Sequence, residues 1–237
     1  MELEGTGQGV TVAVIDSGVH PGHDHIDAAR LLPGFSIAAD GTIDDGPDAA
    51  LDRLGHGTAV TAAIQEKAPD ARILPIRVFR ESLKTSAYAL ITAIDEAAAM
   101  GADLINLSLG STNPAHIPAF TDAVERATAA GAVIIAPREV GEAPCYPGAL
   151  PGVIAVGLDW DCPRETWRAG ADGTLTASGY PRPIPGVAQR RNIHGISFAT
   201  AQITGFAARA FGSELRGTGK AGRTEALYRA LSLHERA

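Results

Sequence analysis

The chain has 237 residues, enough for one α/β domain with a sizeable core. Hydrophobic content of 45% with 20% charged residues is ordinary for a globular fold in water, and a net charge of −7 argues against a general nucleic-acid binder. No apolar run reaches bilayer-spanning length, and residues 1–7 show neither a basic start nor an apolar signal core, so no membrane association and a cytoplasmic location are expected.

In chain order, residues 10–15 (VTVAVI) read as a buried strand ending at Asp16, with Ser17 and Gly18 turning the chain away. An acid at the C-terminal end of a parallel strand sits where α/β enzymes place their sites, although an isolated Asp there more often caps the following turn. His20, His23 and His25 follow closely; without a second ligand cluster at suitable spacing they read as a solvated loop, and no metal or other cofactor is expected. Residues 39–54 are rich in Asp and Gly and read as an exposed loop. His56 then stands between Gly55 and Gly57 at the head of a short helix, where small neighbours let other segments approach the imidazole.

Further β/α units follow. Strands are expected at 72–78, 103–108, 132–136 (broken by Pro137) and 152–157, and helices at 86–100 and 118–130. Residues 158–196 read as loops with a hairpin. Ser197 lies between a Gly-containing turn and an Ala-rich helix running to about 211, and the tail (217–237) carries a last surface helix from about Arg223. Strands alternating with helices of this length mean a mostly parallel sheet covered on both faces. With no repeat, linker or low-complexity tract, residues 1–237 read as a single domain. Cys145 and Cys162 flank one expected strand and are able to pair, but two cysteines make no disulfide scaffold and free thiols are expected.

Asp16, His56 and Ser197, each at a strand end or helix start, form an acid–base–nucleophile series. A serine hydroxyl is a weak nucleophile until a base takes its proton, and the acid fixes the base's tautomer and stabilises its cation. The order Asp…His…Ser is a known solution to this geometry. The motifs VAVIDSGV around Asp16, HGTAV around His56, INLSLG at 105–110, YPGALPGVIAVG at 146–157 and GISFATAQITG around Ser197 resemble, in order and over nearly the whole chain, those of the subtilisin-like serine proteases.

The resemblance implies a three-layer α/β/α fold with a mostly parallel central sheet, and peptide-bond hydrolysis through an acyl-enzyme on Ser197. It implies an extended peptide substrate pairing with Ser108, Leu109 and Gly110 by backbone hydrogen bonds. By the same matching, Cys145 falls near the floor of the primary specificity pocket, with Ala136 and Pro137 on its wall. The family's propeptide is expected to be missing. Its calcium loop between the His56 helix and the next strand is replaced by the short 66–71 segment, and His25 stands at the position of the ion's partner carboxylate.

The chain also departs from the pattern. The family's side-chain oxyanion donor is an Asn after the strand matched by 132–136; here the sequence reads Ala136-Pro137-Arg138-Glu139. The usual Thr before the nucleophile is Ile196. In subtilisins, loss of that Asn costs about 10²–10³ in turnover. The Ser197 backbone N–H remains as one donor; Arg138 is either a replacement donor or a surface arginine. Glu139 and Glu142 are either attractors of a basic substrate residue or exposed loop charges. Residues 81–85 (ESLKT) replace the Gly-rich edge strand that flanks substrate in the family, which points to limited proteolysis or maturation of one particular peptide. The alternatives are acyl transfer to an amine, as in subtilase-like peptide macrocyclases, and a peptide-binding pseudoprotease.

Overall fold

The computed structural model describes residues 3–215 and 219–233. In chain order the elements are β1 (Thr11–Asp16), β2 (Phe35–Ile37), β3 (Ile43–Asp44), α1 (His56–Lys67), β4 (Arg72–Arg77), α2 (Ala87–Ala99), β5 (Leu104–Leu107) and α3 (Ile117–Ala130). They continue with β6 (Val133–Pro137), β7 (Glu139–Val140), β8 (Ala143–Pro144), β9 (Val153–Leu158), β10 (Trp167–Ala169), β11 (Leu175–Ala177), α4 (Ile196–Glu214) and α5 (Arg223–Leu233).

Nine strands form one sheet in the order β10-β11-β9-β6-β5-β1-β4-β2-β3, parallel except for the β10–β11 and β2–β3 pairs at its two ends. β7 and β8 form a separate antiparallel pair. Successive side chains on a strand point to opposite faces, and β1 shows the consequence. Val12 and Val14 enter the core under α1, α4 and α5; Ala13 and Ile15 enter the core under α2 and α3. Ile73 against Leu74, and Leu104 against Ile105, divide in the same way. A strand buried on both faces must be apolar throughout, which is why β1 reads as an unbroken run rather than an alternation. This is the three-layer α/β/α fold.

Element bounds match the sequence expectations within a residue or two, except that α4 runs on to Glu214. Pro137, expected to break its strand, is instead its last paired residue, opposite Val156; a proline is tolerated at the end of a ladder. The short β2 and β3 carry too few residues to show a period and were not foreseen. The terminal helix begins at Arg223 as expected, while 217, 218 and 234–237 of the expected tail lie outside the described residues. Both cysteines are buried free thiols. Among the described residues no helix is long and apolar enough to cross a membrane.

Candidate active site

β1 pairs with β4 on one side and β5 on the other, so Asp16 ends an interior strand of the sheet and is fully buried. Its Oδ1 accepts the Ser17 amide at 2.7 Å and the His56 Nδ1–H at 2.7 Å. Its Oδ2 is buried without a partner among the described residues. His56 is the first residue of α1, presented by Gly55 at φ 80°, a left-handed conformation suited to glycine. Gly57 brings this helix start hard against the loop after Asp16: a Cβ there would lie 2.2 Å from the Gly18 carbonyl oxygen. Burial alone would lower the His56 pKa, but the Asp16 hydrogen bond and the charges of Asp16 and Asp52 outweigh it and hold the imidazole above its ordinary value.

Asp52 is the functional residue that sequence reasoning missed, because 39–54 reads as an exposed loop; in the structure Asp52 is 6% exposed. Its Oδ1 accepts the Ser17 hydroxyl at 2.8 Å and the Leu54 and Gly55 amides at 2.8 and 2.9 Å. Its Oδ2 accepts the Thr58 amide at 2.8 Å and the Thr58 hydroxyl at 2.6 Å. The Ser17 hydroxyl in turn accepts the Gly57 amide at 2.8 Å. One carboxylate thus fastens the neighbour of Asp16 to the first turn of the helix that carries His56, where the helix leaves amides without intrahelical acceptors. The available signal was an Asp followed by a Gly-His-Gly helix start, a capping pattern.

Ser197 opens α4 behind Gly195, whose φ of 150° shapes the turn. Its hydroxyl donates to the Ser108 carbonyl at 3.2 Å rather than to His56, so the Asp16–His56 pair is formed while Ser197 rests against the end of β5. For Ser197 to act as a nucleophile its hydroxyl would have to leave Ser108 and meet the imidazole; such contacts often close only around substrate. The Phe198 ring lies 5.7 Å from the His56 ring. A buried polar link holds α4 over β5: Thr204 donates to the Asn106 side-chain oxygen at 2.9 Å, and the Asn106 amide donates to the Ser108 hydroxyl at 3.0 Å. The Ser197 amide is a first-turn N–H and is placed to donate to an oxyanion.

Ser108 is buried, and Leu109 and Gly110 are half-buried beyond it. A Cβ on Gly110 would meet the Tyr146 carbonyl oxygen at 2.1 Å and Cys145 Sγ at 2.9 Å, so Cys145 does lie beside this strand end. Ala136, Pro137 and Cys145 are all buried. Burial pushes the Cys145 thiol up to about 11.

Arg138 takes the second of its two sequence readings, the surface arginine. Its guanidinium pairs with Asp172 at 2.5 Å, bonds the Thr174 hydroxyl, and lines a groove that contains no triad residue. An arginine already held by a carboxylate is not a free oxyanion donor, so the surface reading stands. Glu139 and Glu142 are exposed, as are residues 81–84, and Ile196 is half-buried. The ring nitrogens of His20 and His23 accept the Gly22 and His25 amides. Among the described residues no group of three or more His, Cys, Asp or Glu is placed to hold a metal ion.

A model of the subtilase family matches residues 7–159. The minor extracellular protease Epr of Bacillus subtilis (strain 168) is 31% identical over 163 residues, covering 64% of this chain and 23% of that protein. The alkaline protease of Alkalihalobacillus alcalophilus is 29% identical over 220 residues, 86% of this chain and 54% of that protein. The chain thus spans from about a quarter to about half the length of these relatives. Two solved structures are also similar. A cold-adapted subtilisin-like serine proteinase has a TM-score of 0.72 and 25% identity, over 95% of this chain and 83% of that one. The prenylagaramide maturation protease PagA has a TM-score of 0.67 and 26% identity, over 90% and 80%.

Proposed function

This chain belongs to the subtilase family, and from that premise we propose that it is a serine endopeptidase acting by limited proteolysis on a particular peptide. In this reading Ser197 attacks the scissile carbonyl while His56 takes its proton. Asp16 holds the Nδ1–H tautomer and stabilises the imidazolium. His56 then returns the proton to the leaving amine, and water, activated by the same base, hydrolyses the acyl-enzyme. The substrate runs extended along residues 108–110.

The observation that carries the reading is the 2.7 Å Asp16–His56 pair at the head of α1, beside a serine that opens α4. Limited rather than broad cleavage is supported by the bulky 81–85 segment and by the likeness to PagA, a maturation protease by its title. The test is labelling with a fluorophosphonate probe against a Ser197→Ala control. Labelling of the wild type alone supports the enzyme; an unlabelled, folded wild type overturns it in favour of a peptide-binding protein. Product mass then separates hydrolysis, which adds a water, from acyl transfer to an amine.

A further inference from the structure

Between Asp172 and Glu214 the sequence contains no acidic residue, yet it holds Arg182, Arg190, Arg191 and Arg209 in a chain of net charge −7. Part of this basic stretch, with Pro181, Arg182, Ile184 and Ile193, closes one wall of a pocket of about 440 Å³. The opposite wall is the entrance to α1, where Arg53, Leu54, Gly55, Thr58 and Ala59 stand on either side of His56.

Leu54, Ile184 and Ile193 are 37%, 41% and 47% exposed around this pocket, and Val187, on the same loop, is 41% exposed. Single exposed hydrophobics need no explanation, but several gathered about one concavity mark a contact surface. Arg53 and Arg182 bring positive charge to the rim. Arg53 is exposed, the Arg182 guanidinium donates to the His25 carbonyl at 3.2 Å, and neither forms an ion pair among the described residues. Asp52 is the one acid lining the pocket, and its carboxylate already accepts five hydrogen bonds. Arg182 also lines an adjoining groove with Asp24, Asp27 and Glu66, of which Asp27 pairs with Arg30, and Glu66 with Arg164 and Lys67.

Resting on the endopeptidase reading, we propose that this pocket receives the leaving-group half of the substrate and selects an apolar side chain followed by acidic ones. The placement follows from the chemistry. His56 hands its proton to the departing amine, so the leaving half emerges beside His56, which residues 53–59 flank. The acyl half occupies the other side, along residues 108–110 beyond β5. Apolar side chains then meet Leu54, Ala59 and Ile193, and carboxylates meet Arg53 and Arg182, with the preference weakening as salt screens the rim.

The experiment measures binding to full-length Ser197→Ala protein by fluorescence anisotropy, so that turnover is not needed. The probes are fluorescein-labelled Ala-Ala-Phe-Leu-Glu-Glu and Ala-Ala-Phe-Leu-Lys-Lys. The glutamate peptide is expected to bind about tenfold tighter at low salt, and Arg53→Glu or Arg182→Glu in the Ser197→Ala background is expected to cancel or reverse that ratio. Equal affinity for the two peptides, or a ratio unmoved in both folded charge-reversal variants, overturns the proposal. Fluorophosphonate labelling of the wild type is scored separately. A labelled enzyme with no charge preference keeps the peptidase reading and discards the acidic leaving group. An unlabelled protein that prefers the glutamate peptide discards the peptidase and keeps the basic surface that binds acidic peptides.

Discussion

On the base side of the site, Asp16, Ser17, Asp52, His56 and Thr58 answer one another: every oxygen of Asp52 is bonded, and the imidazole is pinned at 2.7 Å. On the carbonyl side, the segment after β6 presents an arginine turned to Asp172, two exposed glutamates, and no asparagine. One half of the site is fixed by a buried carboxylate at a helix start. The other is left with the Ser197 amide as its identified donor. Under the proposed peptidase reading, preorganisation is concentrated in proton transfer, and polarisation of the substrate carbonyl is where the site has least built-in help.

Four substitutions and one labelling experiment break or sharpen that contrast. The largest effect is expected on the base itself: His56→Ala should lower kcat for peptide cleavage by about 10⁴ or more, with binding of substrate peptide retained. Next, Asp52→Asn leaves donors facing an amide in place of a carboxylate. We expect a loss of about 10–100-fold in kcat/KM and about 1–3 kcal/mol of stability, read by kinetics and by denaturant unfolding. The same substitution removes one of the charges that raise the His56 pKa. Activity needs the neutral base, so the acid limb of the pH–rate profile should move to lower pH; an unmoved limb would reduce Asp52 to a helix cap.

The raised His56 pKa has a thermodynamic counterpart. Protonated His56 stabilises the fold, a contribution complete below the ordinary value of 6.5 and lost as pH rises through the folded pKa. Unfolding of wild type and His56→Gln should therefore differ most at mildly acidic pH and converge at alkaline pH. On the carbonyl side, Arg138→Ala should change kcat/KM by less than about threefold, since an exposed ion pair contributes little; a hundredfold loss would restore it as an oxyanion donor. Smallest of all, iodoacetamide should leave Cys145 unmodified in the folded protein at neutral pH, because its thiol is buried and pushed up to about 11.

Much of the fold was legible in the chain. The predominantly apolar runs at β1, β4, β5 and β6 read as strands covered on both faces, and the Ala-rich stretches between them as the covering helices. Asp16 stood out at the end of such a run, and His56 and Ser197 beside glycines at the start of Ala-rich stretches. Asp52 did not, since its carboxylate is buried by contacts with Ser17 and Thr58 that no local pattern announces. Asn106 was hidden the other way, as a lone polar residue inside an apolar strand whose partner, Thr204, lies 98 positions away.

The residues alone determined the layer order and singled out Asp16, His56 and Ser197 as the candidate acid, base and nucleophile, because burial period and residue type are local properties of a chain. Only the tertiary structure decided where Arg138 points, where Ser197 rests and what Asp52 holds. Those outcomes depend on which carboxylate or carbonyl arrives from a distant segment, and a charged or hydroxyl side chain takes the partner that folding brings within reach.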